Sequence, residues 1–388
     1  MLRSDLPNEL LDLARAARDV AVERIGPLVK ETEKARTFSP AIRQALAEAG
    51  FLGLVVPEKF GGVDADVRAE ALVVEEISRV YPSAATYLTA HWVSTKLLVR
   101  AAEGGQSNPW LLETLRRIAD GELLGALGAT EPEAGSDLAG IRTRAVREGQ
   151  NWRVDGSKRF ITNGGFCDFY TLIVRTGGDG ASGISIVFAE AERPGIEAVR
   201  HESKMGNHGS ATAEIEIVGL ELPADHLVGE LDAGFGLLME GLDAGRVVVA
   251  GMSLGIAAAA LDHAVDYAGT RSQFGRVISE FQGVQFLLAD MEIAVTSARA
   301  LTYDAAHSVA LGRSDASQLA SIAKTIASDA AMSVASDAIQ VHGGYGYVDD
   351  YPVEMLLRDA KIGQIWEGTN QLQRSLIARR TLKGGAIA

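Results

Sequence analysis

Apolar residues in the first third of the chain recur every three to four positions, the period of an amphipathic helix. In "LPNELLDLARAARDV", Leu6, Leu10, Leu13, Ala17 and Val20 fall on one face. "PAIRQALAEAG" repeats the pattern and ends at Gly50, a helix terminator. "LVVPEKFGG" interrupts it with Pro57 and the Gly61–Gly62 pair, and "RAEALVVEEISRV" resumes it. "TYLTAHWVSTKLLVRAA" is apolar nearly all round, as expected of a central helix. Helices are therefore predicted up to about Asp120.

The period shortens after about Gly121. "NWRVDGSKRFITN" alternates and contains Asp155-Gly156, which predicts a hairpin turn there. "YTLIVRT" and "ISIVFAE" are short β-rich runs. "ATAEIEIVGLEL" alternates Glu214 and Glu216 with Ile215 and Ile217, the pattern of a half-exposed antiparallel strand. Strands this closely spaced, with no helices between them, predict a small antiparallel barrel or sandwich.

From about Gly234 the helical period returns in Ala-rich stretches: Phe235 to Gly269, Gln282 to Leu311 and Ala316 to Val341. A shorter pair follows around "YPVEMLLRDAKIGQIW" and "NQLQRSLIARR". Their length and small-residue content predict a four-helix-type bundle. The expected fold class is α+β multidomain. It has an N-terminal α-helical domain over 1–122, a middle antiparallel β domain over 123–233 and a C-terminal four-helix-bundle domain over 234–388.

Composition narrows the functions. The chain has 388 residues, 47% of them hydrophobic, enough for cores in two or three domains. Its net charge of −14 gives no general attraction for phosphate backbones, so no nucleic-acid partner is expected. An anionic ligand must find a local positive site. Cys167 has no second cysteine to pair with and cannot build a zinc site alone, so it reads as a small buried hydrophobe and no metal is expected. Asp5, Glu9 and Asp12 interrupt any signal-peptide core, and the most apolar run, Val247 to Leu261, is shorter than the ~20 residues of a membrane span. These features predict a cytoplasmic protein without membrane contact.

Candidate chemistry lies in six short stretches. "GATEPEAGSD" offers Thr130, Gly135 and Ser136 as donors in a tight loop that can hold a polar ring edge. "RFITNGG" puts Phe160 and Thr162 at a strand end. "RSQFG" presents Arg271 after a long helix, where a guanidinium can grip a pyrophosphate. "QVHGGYGY" ends a helix in Gly343–Gly344, allowing close backbone approach. It is not a GxGxxG after a strand, so it gives no Rossmann site. Arg246 stands alone in the most apolar helix, one turn from Asp243. In "DAKIGQIWEGTNQLQRS", Glu367 sits between Ile365–Trp366 and Gly368 at a helix break, where it reads equally as a cap or a general base. Each stretch is locally compatible with an ordinary turn, helix end or ion pair.

Taken in order, "TEPEAGSD", "ITNGG", "RSQFG", "QVHGGYGY", "YPVEMLLRDAKI" and "EGTNQLQR" resemble the acyl-CoA dehydrogenase family along essentially the whole chain. The resemblance implies the same three-domain order, non-covalently bound FAD, and a homotetramer or dimer in which a neighbouring subunit completes each flavin site. It places Leu127, Ala129, Thr130 and Ser136 near the flavin, and Phe160 and Thr162 beside the isoalloxazine. Arg271, Gln273, Phe274 and Gln282 would reach a flavin bound mainly by the adjacent subunit. Gln340, Gly343 and Gly344 would contact the adenine-nucleotide half, with Thr369 and Gln371 completing the cofactor site. Ser136, Asp243, Arg246 and Gly368 match substrate-contacting positions.

The resemblance also makes Glu367 the catalytic base. It would take the α-proton of an acyl thioester while flavin N5 takes the β-hydrogen as hydride, leaving a trans-2-enoyl thioester. Hydrogen bonds from the flavin ribitol 2′-hydroxyl and the backbone N–H of the base stabilise the developing enolate. Burial beside Trp366 is expected to raise the Glu367 pKa. Some members carry the base one residue before the arginine equivalent to Arg246; Gly245 closes that option here. Retention of Glu367 argues against the flavin monooxygenase branch.

Three positions depart from the common pattern: Phe160 for Trp, Trp366 for Tyr, and Asn370 for a small residue. The last two are expected to reshape the pocket. Tyr87, His91 and Trp92, on the helix that usually lines the acyl pocket, predict a short or branched acyl group. The missing arginine near Ala85 disfavours a dicarboxylic substrate. The expected partners are an acyl-CoA and an electron-transfer flavoprotein. An acyl-carrier-protein substrate, an oxidase using O2 and a non-catalytic helical scaffold are the alternatives.

Overall fold

The computed structural model describes residues 6–384. The first residues of the N-terminal stretch, Asp5 among them, and the last four of the expected bundle domain lie outside the described part.

Six helices form the N-terminal part: α1 (Asn8–Val20), α2 (Val29–Ala35), α3 (Pro40–Glu48), α4 (Val67–Ser78), α5 (Pro82–Glu103) and α6 (Pro109–Ala119). Local chemistry sets their starts. Ser39 caps α3 by accepting from the Ile42 N–H, with Pro40 at the first helical position. Asp66 caps α4 by accepting from the Arg68 N–H at 2.8 Å. Helix α5 is buried on almost every side, as its unbroken apolar pattern requires.

The middle part is one eight-stranded sheet. Its strands are β1 (Gly125–Gly128), β2 (Arg144–Glu148), β3 (Asn151–Thr162), β4 (Phe169–Arg175), β5 (Ile184–Glu190), β6 (Ile196–His201), β7 (Thr212–Pro223) and β8 (Leu227–Val228). The order is β6-β7-β3-β2-β4-β5-β8, with β1 on β4. Pairing is antiparallel except where β1 and β2 meet β4.

The turn expected at Asp155-Gly156 is not there. Strand β3 runs straight through it, and the chain reverses earlier, at Gly149 with φ 60°. Asp155-Gly156 instead marks a register shift against β7 between Val154 and Gly156. A glycine in a strand interior signals a bulge as readily as a turn.

The C-terminal part is built on α7 (Gly234–Thr270), α8 (Gln282–Ala310) and α9 (Ala316–His342), with α10 (Val353–Ala360) and α11 (Asn370–Leu382) packed on α9. A small hairpin, β9 (Ser272–Gln273) with β10 (Arg276–Val277), joins α7 to α8. Helix α7 is long and apolar enough to cross a membrane, yet its apolar stretch lies wholly inside the fold. It crosses α4 at backbone distance. A Cβ at Gly251 would lie 2.5 Å from the Ala71 carbonyl oxygen, and one at Gly255 would lie 2.2 Å from that of Glu75. One core cluster therefore runs from α1 through α4 and α7 into α9.

Candidate active site

After α10 the chain makes a short 3-10 turn, Lys361–Gln364, and then breaks. Glu367 and Gly368 are both left-handed, with φ 51° and 89°. For a glutamate this conformation costs about 1 kcal/mol or more unless the surroundings enforce it. Thr369 caps α11, its hydroxyl accepting from the Leu372 N–H at 3.2 Å. The cap at this helix break is thus the threonine, and the Glu367 side chain is free for another use.

Two buried side chains enforce the turn. Gln373 donates from Nε2 to the Glu367 carbonyl at 3.0 Å and to the Gly368 carbonyl at 3.1 Å. Lys324, on α9, donates from Nζ to the Gly368 carbonyl at 2.8 Å and to Asn370 Oδ1 at 2.9 Å. Both side chains are fully out of solvent.

The Glu367 carboxylate points at α7. A Cβ built on Gly245 would lie 2.9 Å from its Oε2 and 3.5 Å from Val93 Cγ2 of α5. Oε2 is buried and has no hydrogen-bond partner among the described residues; the same holds for Trp366 Nε1 and Arg246 Nε. Burial raises the Glu367 pKa above the usual carboxylate range, while the cations Arg246 and Lys324 oppose the rise. Arg246 forms its expected ion pair with Asp243, one turn back on α7. A carboxylate in an apolar setting, unpartnered and flanked by two cations, is poised to take a proton from a group brought against it.

The aromatic lining predicted for α5 does not face this carboxylate. Val93 and Leu97 are the α5 residues beside Gly245 and Gly241 of α7. Tyr87, His91 and Trp92 lie on other sides of the helix and are committed to the core. Tyr87 stacks on Phe38 and accepts from the Ser39 N–H. His91 Nδ1 accepts from the Gly125 N–H at 2.8 Å, its pKa depressed to about 4 by burial. Trp92 donates to the Phe51 carbonyl at 2.8 Å. The inference of a short or branched acyl group from these three aromatics therefore fails, because 100° per residue turns them away. Asn370 does not shape a pocket either. It is 2% exposed and faces α9, donating to Ser328 Oγ and Asp329 Oδ1 at 2.9 and 2.8 Å.

The "TEPEAGSD" loop is anchored by a residue that local chemistry did not mark. Glu131 is buried, accepts from the Arg142 and Thr143 N–H groups, and pairs with the fully buried Lys158 at 2.7 Å. The Thr130 carbonyl accepts from the Arg159 N–H at 2.8 Å, which brings this loop beside Phe160. Leu127 is half-buried and Ala129 buried at its entrance, and Ser136 is exposed on the far side. Strand β3 shifts register between Lys158 and Ile161, both of which face inward. The bulge ejects Phe160, which is 59% exposed at φ 58°. Thr162 follows at the strand end, opposite Thr212. Next to it Asn163 donates to the Tyr87 and Gly125 carbonyls, tying β3 to α5 and β1.

A second group gathers at the far end of α7 and α9. Arg271, Gln273, Gly343 and Gly344 line one pocket of about 530 Å³ with Tyr267, His342 and Tyr345. Tyr267 stacks on His342 with ring centroids 4.2 Å apart, and the Arg271 guanidinium lies over Tyr345. Phe274 tips the β9–β10 hairpin at 93% exposure, clear of this pocket. Gln282, Gln340 and Gln371 are exposed and do not line it. Glu367 and Thr369 lie outside it as well.

This donor set fits FAD. The pocket offers a guanidinium and two glycine backbones with open space where a Cβ would stand. The exposed Phe160 ring and the buried, unpartnered Trp366 indole N–H suit a flat, polar-edged ring. Lys324 carried no sequence signal, and Glu131 and Gln373 stood within the quoted stretches without being singled out, since a lysine, glutamine or glutamate in a helix or loop resembles any surface residue until packing buries it.

These features suit a flavin-dependent oxidoreductase, and the chain belongs to the acyl-CoA dehydrogenase family. Residues 7–122 match the acyl-CoA dehydrogenase N-terminal domain, 126–219 the middle domain and 232–382 the C-terminal domain. The chain is 41% identical over 380 residues to an acyl-CoA dehydrogenase of Bacillus subtilis, covering 97% of this chain and 98% of that one. Its fold is similar to butyryl-CoA dehydrogenase from Megasphaera elsdenii, with TM-score 0.92, 36% identity and coverage of 97% and 99%. It is also similar to a structure from work on the electron transferring flavoprotein of Acidaminococcus fermentans and flavin-based electron bifurcation, with TM-score 0.93, 40% identity and the same coverage. The protein is an FAD-dependent oxidoreductase.

Proposed function

We propose that the protein oxidises an acyl-CoA thioester to the trans-2-enoyl-CoA, with Glu367 as the base that removes the α-proton. The observation that carries this reading is the Glu367 carboxylate itself. It is aimed at Gly245, unpartnered at Oε2 and raised in pKa by burial. A thioester seated between α5, α7 and the Glu367 turn would bring its α-carbon against that oxygen. The left-handed turn leaves the Glu367 N–H outside any helix, available to the thioester carbonyl. Arg246, held by Asp243, supplies positive charge beside the proton transfer. FAD, when bound, supplies the two-electron acceptor for the β-hydrogen. Thr130, Phe160 and Thr162 would hold the ring. Arg271 and Gln273 would reach the flavin of a neighbouring subunit, with Gly343 and Gly344 against its adenine-nucleotide half.

The exposed Phe274 at the hairpin tip supports a homo-oligomer in which this tip reaches a neighbouring subunit's flavin. The likeness to the structure from electron-transferring-flavoprotein work supports such a protein as the acceptor.

The test is anaerobic titration of the holoenzyme with a panel of acyl-CoAs while flavin absorbance is followed. Bleaching by acyl-CoA is expected, and its loss in Glu367→Gln with FAD retained; general-base removal typically costs about 10²–10⁴-fold. Bleaching only by acyl-carrier-protein thioesters, or peroxide release in air without another acceptor, would replace this reading with one of the alternatives.

A further inference from the structure

We propose that Lys324 is a positioning residue of this reaction: its buried ammonium group grips the Gly368 carbonyl and so fixes the left-handed turn that aims Glu367 at Gly245. The proposal rests on the reading of Glu367 as the base.

Stability alone gives no reason for a lysine here. Lys324 is 0% exposed, about a third of the way along α9, and both of its hydrogen-bond acceptors are uncharged oxygens, Gly368 O and Asn370 Oδ1. The nearby carboxylate, Asp329, is already engaged. Its Oδ1 accepts from Gln364 and Asn370, and its Oδ2 pairs with Arg374 at 2.7 Å. A buried cation without a directly bonded counter-ion is costly, and an apolar side chain of the same length would avoid that cost. What the ammonium gains is the carbonyl adjoining Glu367 and a long-range pairing with the Glu367 carboxylate.

The surrounding charges leave that role to Lys324. From α7, Arg246 faces the Glu367 carboxylate but is tied to Asp243. From α9 come Lys324, Ser328 and Asp329, and from α11 come Asn370, Gln373 and Arg374. From α5 the apolar Val93 flanks Gly245. Gln373 also holds the Gly368 carbonyl, together with that of Glu367, but carries no charge. Lys324 is therefore the group among the described residues that both bonds to the turn and contributes positive charge. Its own pKa, lowered to about 8 by burial with Glu367 the first influence opposing the fall, agrees with that coupling.

The test uses FAD-loaded Lys324→Met and Lys324→Gln with Asn370→Ser as a control. Flavin content and single-turnover bleaching by an acyl-CoA that bleaches the wild type are measured from pH 6 to 9. Both lysine variants are expected to retain FAD and to bleach at least ~10-fold more slowly, with half-saturation changed by less than about threefold. Their rates should begin to rise at higher pH than in the wild type, because losing the cation leaves Glu367 easier to protonate. Asn370→Ser, which keeps the ammonium and the Gly368 bond, should leave that limb in place. Wild-type rate and an unmoved limb in either lysine variant would overturn the proposal. Failure of both to fold or hold FAD would overturn it too, in favour of a purely structural lysine. A wild type that no acyl-CoA bleaches would instead refute the parent reading, before any variant is compared.

Discussion

Gly245 and Glu367 share one small volume: a methyl group on Gly245 would sit 2.9 Å from Glu367 Oε2. The sequence put two possible base positions 122 residues apart, and the fold makes them neighbours. The absence of a side chain at one makes room for the carboxylate of the other. Gly245→Ala should leave the fold and FAD content intact, since the atom displaced is the end of a side chain. It should push the carboxylate off line and cost on the order of 10²-fold in kcat, the scale of a ~1 Å misplacement. Steady-state kinetics alongside flavin absorbance would check this.

Phe160 is expelled from its strand by the bulge after Lys158 and is held at φ 58°. Phe160→Ala removes a ring the sheet core does not use. FAD should dissociate roughly three- to tenfold more easily, the scale of one aromatic stacking contact. The melting temperature of the FAD-free protein should barely change. Flavin fluorescence on dilution and a thermal scan of the stripped protein would measure the two effects.

Trp92 and Val93 are adjacent on α5 but face different surroundings. Trp92→Phe leaves the buried Phe51 carbonyl without its donor, so about 1–3 kcal/mol of stability should be lost with acyl-chain preference unchanged. Val93→Ala opens space beside Glu367 and Gly245. It should shift relative kcat/KM between acyl chain lengths by about tenfold, the worth of a methylene or two in an apolar pocket. An acyl-CoA panel with both variants would separate packing from specificity.

Asp359 is fully buried on α10, and its pKa is raised to about 8, first by burial and then by Glu33. A carboxyl protonated in the fold but ionised when unfolded draws stability down as pH climbs from its unfolded value of 3.8 to its folded one. Its contribution is therefore fully present below the lower value and lost by about pH 8. Asp359→Asn should raise the melting temperature more at pH 8 than at pH 5. Thermal melts at the two values would test the sign.

The helix–sheet–helix order and the long helices α7, α8 and α9 were legible in the sequence, because the apolar period follows directly from backbone geometry. The site stretches were legible only as an ordered set, through their resemblance to a known family, because each alone reads as an ordinary turn, helix end or ion pair. Three kinds of information were not. Which side of α5 meets the carboxylate depends on how the helix is rotated against α7. An almost wholly apolar helix carries no stripe to reveal that, and so Tyr87, His91 and Trp92 misled. Whether Asp155-Gly156 turns or bulges was settled by β7 pairing along both halves of β3. Lys324 and Gln373 lie 43 residues before and 6 residues after Glu367, and only helix packing brings both onto its turn. The sequence by itself determined the elements and the reactive groups. The tertiary structure alone decided which faces meet, because side-chain contact depends on distance in space and the sequence records only distance along the chain.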